Sequence, residues 1–147
     1  MRLIEAEGKR LLKEMGVAVP EQGGDGPFFV KAQVVHGGRG KAGLVRRSTT
    51  QKDVGEAKKE IEKILGRIPE GGFLVEREVP HTREWFLSID LDRAIGDWRV
   101  NIGEGGMEVA SAESSPLFSY QDEKFGSLVR TLAEGMRTHR LQSVEIN

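Results

Sequence analysis

Apolar positions along the chain recur at two spacings, close to every third or fourth residue in some stretches and every second in others, and this predicts the elements. Leu3, Leu11, Leu12 and Met15 share a stripe with Ala6 and Gly8, predicting a helix from Leu3 to Met15 that Gly16 ends. Val17-Ala18-Val19-Pro20 leaves it extended, and Glu21 to Pro27 is a turn by composition. Phe28 to Val35 and Leu44 to Arg46 read as strands on either side of a glycine-rich loop. Val54, Ala57, Ile61, Ile64 and Leu65 then fall at helical spacing. Ahead of them Thr50-Gln51-Lys52-Asp53 forms a capping box with Asp in place of the preferred Glu, and Gly66 stops the run. The outer face of this helix carries Lys and Glu at i, i+4 distances, as a solvated face does.

Gly71-Gly72 turns the chain into Phe73-Leu74-Val75-Glu76, a strand ending in a carboxylate. Trp85, Leu87, Ile89 and Leu91 alternate on one face of the next strand, Asp92 to Asp97 turns, and Trp98 to Ile102 returns antiparallel. Gly103-Glu104-Gly105-Gly106 turns again, into Met107-Glu108-Val109. Ser111 to Ser119 is polar and reads as irregular. Phe125, Leu128, Val129, Leu132, Ala133 and Met136 mark an amphipathic helix. Val144-Glu145-Ile146-Asn147 closes as a strand that puts Glu145 and Asn147 on one face.

Composition narrows the classes. At 147 residues the chain can bury one core, or two small subdomains sharing a hinge. A formal charge of −1 gives no global attraction to nucleic acid or membrane. The chain has no cysteine, which excludes disulfides, a thiolate nucleophile and a zinc–thiolate site. No apolar run approaches the roughly 20 residues that span a bilayer, and acids appear at once in Met1-Arg2-Leu3-Ile4-Glu5, unlike a signal peptide. The default expectation is a soluble cytoplasmic protein.

Against that neutral background one segment is strongly basic. Between Gly26 and Lys52 there is no Asp or Glu, whereas Lys31, Arg39, Lys41, Arg46, Arg47 and Lys52 all fall there or at its end. Gly37, Gly38, Gly40 and Gly43 lie within the same loop, so backbone N–H groups can approach an anion closely. The segment is not a Walker loop, because no Gly-Lys-Ser/Thr closes it, and Gly-x-Gly-x-x-Gly is absent as well. Two readings follow from the residues alone: a polyanion bound in a β-hairpin, or a mobile, solvated hairpin tip. A terminal Glu-x-Asn edge offers a carboxylate and an amide carbonyl to a hard cation.

Lys31-Ala32-Gln33-Val34, followed by Gly37-Gly38-Arg39-Gly40-Lys41-Ala42-Gly43, resembles the nucleotide-binding hairpin of the succinyl-CoA synthetase β subunit, an ATP-grasp protein. Val35-His36 stands where that family usually has His-Ala, and Leu44 where it usually has a glycine. The resemblance continues through Glu5 and Lys9, Val75-Glu76-x-x-Val79 with Glu84-Trp85, the Glu104-Gly105-Gly106 turn, and Glu145-Ile146-Asn147. It implies an α+β fold of the ATP-grasp kind, two lobes with antiparallel sheets and flanking helices. Residues 17–79 would form the lobe bearing the hairpin; residues 1–16 and 80–147 would form the second, with nucleotide between them.

The resemblance also implies roles. Lys31, Arg39 and the backbone of Gly38 and Gly40 would take nucleotide phosphates. Glu76 would meet the adenine or ribose side, the backbone at Val79 the base, and Glu84 the ribose and phosphate region. Asn147 would hold Mg²⁺ carried by ATP or GTP. Glu145 would act in catalysis, stabilising a phosphohistidine brought by a partner α subunit. The implied whole is an acid–CoA ligase of the succinate type, using ATP, a carboxylic acid and coenzyme A. The matching residues correspond to the front of that family only, without the second, acidic magnesium ligand and the coenzyme-A ligase domain, so this chain is not expected to form acyl-CoA by itself. Two alternatives stand beside it: another acyl-CoA synthetase of the same superfamily or the front of ATP-citrate lyase, and a non-catalytic module using the basic hairpin on RNA. Against RNA, no Phe or Tyr is interleaved with the loop cations for base stacking.

Overall fold

The computed structural model of the chain describes residues 2–106 and 112–146. These fall into two compact units, Met1–Glu14 with Ala18–Pro80, and Met15–Val17 with His81–Asn147. The first unit contains helix α1 (Glu5–Glu14), strands β1 (Phe28–Ala32) and β2 (Val45–Ser48), helix α2 (Gln51–Leu65) and strand β3 (Phe73–Arg77). Its sheet is antiparallel in the order β2-β1-β3. One face buries Phe28, Val30 and Ala32 with Leu44 against Val54, Ala57 and Ile61 of α2, and that is the core of the unit. Alternation along β1 therefore sends Phe29 and Lys31 to the other face, away from α2. Register carries Leu74 and Glu76 of β3 to that same face, opposite Lys31 and Phe29 respectively.

The expected capping box is formed: Asp53 N–H donates to Thr50 Oγ1 at 3.2 Å and Thr50 N–H donates to the Asp53 carboxylate at 3.0 Å. Gly66 ends α2 in the left-handed conformation, φ 68°. Strand β1 stops at Ala32, three residues earlier than the apolar pattern predicts. Gln33 turns its backbone to the Gly71-Gly72 bend instead, donating to the Gly72 carbonyl and accepting from Gly71 N–H.

The second unit carries strands β4 (Trp85–Asp92), β5 (Asp97–Glu104), β6 (Ala112–Pro116) and β7 (Ser143–Ile146), with helix α3 (Gly126–His139). Its sheet runs β6-β5-β4-β7, all antiparallel. Leu87, Ile89 and Val100 are buried, as are Val129, Leu132, Ala133 and Met136 of α3. Ser111 to Ser119 was expected to be irregular, yet it contains β6 and a short 3-10 helix over Leu117–Ser119. Glu113, Ser114 and Ser115 pair with Ile102, Asn101 and Val100 at the sheet edge, and backbone pairing requires no apolar alternation of a strand that shows none. The predicted strand at Met107-Glu108-Val109 lies outside the described residues.

Helix α1 clusters with the hairpin unit, although residues 1–16 were expected to side with the later part of the chain. Side-chain chemistry explains this: Glu5 and Lys9 are tied to Lys31, Arg39 and Glu76.

Candidate functional site

The face of the β2-β1-β3 sheet opposite α2 carries an acid–base cluster built from four segments of the chain. Lys31 comes from the end of β1 and Glu76 from β3, diagonal neighbours across the antiparallel pair. Glu5 and Lys9 come from one face of α1, a helical turn apart, and Arg39 from the glycine loop. Lys31 Nζ lies 2.9 Å from Glu5 Oε1 and 2.5 Å from Glu76 Oε1. Lys9 Nζ bridges the same two acids, 2.8 Å from Glu5 Oε1 and 2.7 Å from Glu76 Oε1. Arg39 places Nη2 2.6 Å from Glu5 Oε2 and donates from Nη1 to the Ala32 carbonyl at 3.1 Å. Three cations and two anions are thus packed together, a net charge of +1.

Burial makes this arrangement consequential. Glu76 is 2% exposed, and an unpaired carboxylate so deep would cost several kcal/mol. At Glu5 burial pushes the carboxyl pKa up, but the charges of Lys31 and Lys9 and their hydrogen bonds outweigh it and hold the group down at about 2. At Lys31 burial acts downward and the carboxylates of Glu5 and Glu76 act upward more strongly, so its ammonium is held above the usual lysine value. Gln33 ties helix to strand: its Oε1 accepts from Ala6 N–H in the first turn of α1 at 2.8 Å, and its Nε2 donates to the Lys31 carbonyl at 3.3 Å.

The glycine loop folds back on itself. Ala42 N–H donates to Gly38 O, Gly43 N–H to Gly40 O and Leu44 N–H to Arg39 O. Gly38 and Gly43 take φ of 75° and 71°, positions that a side chain would strain. Gly38 and Gly40 are exposed, while Arg39 is half-buried and turned inward to Glu5.

Of the residues singled out by sequence, Lys31, Arg39 and Glu76 are brought together in one unit, and Gly38 and Gly40 flank Arg39. Val79 follows β3 with an exposed side chain. Glu84 lies in the second unit, exposed, 2.9 Å from His81 Nε2, with its carbonyl accepting from Gly105 N–H. Glu145 is exposed on β7, in register with Ser88 of β4. Asn147 lies outside the described residues. Among the described residues no group of three or more His, Asp or Glu converges as a metal site, and no helix is long and apolar enough to cross a membrane. Glu5, Lys9 and Gln33 were missed as site residues. The i, i+4 Glu5–Lys9 pair was a visible signal, but such pairs are common on solvated helix faces, and only the fold reveals that this one is inward.

Residues 2–117 match the ATP-grasp domain family. The chain belongs to that family. This ATP-grasp chain is also 37% identical, over 146 aligned residues, to the β subunit of succinate–CoA ligase (ADP-forming) from Exiguobacterium sibiricum, with 79% of this chain and 36% of the relative covered. It spans about a third of the length of the curated relatives it matches. Among solved structures, PH1788 from Pyrococcus horikoshii Ot3 shares the fold with TM-score 0.76 at 16% identity, covering 99% of this chain and 83% of that one. A dinucleotide-forming acetyl-coenzyme A synthetase from Ca. Korarchaeum cryptofilum, solved with coenzyme A and Ca-AMPCP, shares it with TM-score 0.68 at 17% identity, covering 99% and 85%. An ATP-grasp fold fits the observed α+β architecture of two antiparallel sheets with flanking helices.

Proposed function

We propose that this ATP-grasp chain binds the phosphates of a nucleoside triphosphate through Lys31, Arg39 and the glycine loop, as the front portion of a cytoplasmic acid–CoA ligase of the succinate type. The observation that carries the reading is the convergence of Lys31 and Arg39 on one carboxylate, that of Glu5. Two cations that can share a carboxylate are spaced to share a phosphate, which has the same kind of oxygen acceptors. Phosphoryl transfer asks mainly for positioning and charge neutralisation, and a strand-end lysine with a half-buried arginine supplies both. Glu76 would act through Lys31, fixing the ammonium, rather than by meeting the ribose, because Lys9 and Lys31 already engage its carboxylate.

The finer parts of the proposal rest on the resemblance and on the relatives. In the complete enzyme an α subunit would bring the histidine that accepts the phosphoryl group, and a carboxylic acid and coenzyme A would be the other substrates. Glu145 would stabilise the phosphohistidine, Glu84 would serve the ribose and phosphate region, and the Val79 backbone the base. Mg²⁺, when bound, would neutralise phosphate charge. Asn147 is its proposed ligand and lies outside the described residues, so no step is assigned to the ion.

Calorimetry with Mg·ATP, Mg·GTP and a short RNA tests the reading. Saturable heat with a nucleotide, falling only modestly with salt, is expected. Heat with RNA alone, weakening by decades between low and moderate salt, would instead make the basic loop a nucleic-acid contact.

A further inference from the structure

The cations assigned to phosphate are already held by an anion. The Glu5 carboxylate reaches the strand-end Lys31 with Oε1, at 2.9 Å, and the loop Arg39 with Oε2, at 2.6 Å. It therefore spans the two groups that a phosphoryl moiety would bridge. Each of these cations has a second anchor that does not involve Glu5. Lys31 is also paired with Glu76, and Arg39 also donates to the Ala32 carbonyl. Loss of the Glu5 carboxylate would leave both in place while raising the net charge of the cluster from +1 to +2.

Of the two acids, Glu5 is the one able to leave. Glu76 is fixed in a strand with its side chain 3% exposed, whereas Glu5 stands in the first turn of α1 with its side chain 17% exposed. An acid in the first turn of a helix stays compatible with the helix dipole when it turns to solvent.

We propose that Glu5 is an internal counter-anion that occupies the phosphate position between Lys31 and Arg39 and is displaced when a polyphosphate binds. This rests on the assignment of those two cations as phosphate ligands. Displacement sets a threshold: an anion with a single charge gains no more from the pair than the carboxylate it must replace, whereas a di- or triphosphate gains more. It also couples ligand binding to α1, since the helix gives up one tie to the sheet, at Lys31, and one to the glycine loop, at Arg39.

The test titrates Mg·ATP and inorganic pyrophosphate into wild type, Glu5→Gln and Glu7→Gln at low ionic strength. Glu7 shares the turn and the charge of Glu5, but its carboxylate accepts from Ile4 N–H. Glu5→Gln is expected to bind both ligands about three- to tenfold more tightly, with Glu7→Gln close to wild type. Equal or weaker binding by Glu5→Gln would overturn the proposal. A second measurement needs no variant: with ¹³C-labelled glutamate, the Glu5 carboxyl resonance of wild type should move to the position of a solvated glutamate when pyrophosphate saturates. A resonance that stays where it was at saturation also overturns it. If wild type binds and Lys31→Met weakens binding while Glu5→Gln does not tighten it, displacement fails and the phosphate site stands. If wild type binds neither nucleotide nor pyrophosphate, both fall together.

Discussion

Lys31 illustrates how one side chain serves fold and ligand at once. On sequence alone it is a strand-end cation whose removal should cost little stability. The structure changes that expectation, because Lys31 is one of two ammonium groups satisfying the buried carboxylate of Glu76. Lys31→Met should therefore cost roughly 1–3 kcal/mol of stability, read by urea denaturation, in addition to any loss of binding. A midpoint equal to wild type would show that Lys9 alone suffices for Glu76. Glu5 gives a prediction in pH. Its carboxyl ionises at about 2 in the folded chain against an ordinary 4.5, so folding favours the charged form. The associated stability is fully present above about pH 4.5 and is lost as pH falls through about 2; at ~1.4 kcal/mol per unit it is on the order of 3 kcal/mol. The stability difference between wild type and Glu5→Gln should be present at pH 6 and shrink steadily toward pH 2. A difference constant with pH would contradict it.

Among the elements, the Gly71-Gly72 bend and the glycine loop behave differently. Gly71 is a packing point: a Cβ there would sit 2.7 Å from Ile4 Cδ1 and 3.0 Å from the Gln33 carbonyl oxygen. The backbone cannot yield as a side-chain tip can, and Gln33 is the residue that caps the first turn of α1. Gly71→Ala should lower stability by about 1–3 kcal/mol and loosen α1, seen as faster hydrogen exchange over residues 6–10. Unchanged exchange would mean that the bend absorbs the methyl group. The loop between β1 and β2, by contrast, closes on local backbone hydrogen bonds with an exposed tip. Exchange over residues 36–43 should slow when nucleotide is added, and equal exchange with and without it would return the loop to a solvated tip.

At the scale of the whole molecule, the elements were legible wherever local signals agree. The capping box and Gly66 bracket α2, and the alternation of Trp85, Leu87, Ile89 and Leu91 marks β4, because period and termini are local properties. Strand β6 was not legible, since its side chains are polar and its pairing is a backbone matter with β5. The site was legible in part for the same reason. Lys31, Arg39 and the glycines announce themselves as a charged, flexible hairpin within one stretch of chain. Glu5 and Lys9 lie more than twenty residues away and look like an ordinary surface pair; only tertiary packing turns them inward. That packing also ties α1 to the hairpin unit and makes Glu76 a partner of lysines. The formal charge of −1 and the net +1 of the cluster are compatible because the basic stretch is local.

Calorimetric titration of Mg·ATP into wild type and Lys31→Met, side by side at moderate salt, goes straight to whether this cluster holds nucleotide phosphate. Both proteins are first checked to be folded at the temperature used. A charge-assisted contact of ~1.5–3 kcal/mol predicts affinity lower by roughly ten- to a hundredfold in the variant. The same ATP affinity in both proteins would contradict the assignment of Lys31 and of the site built around it.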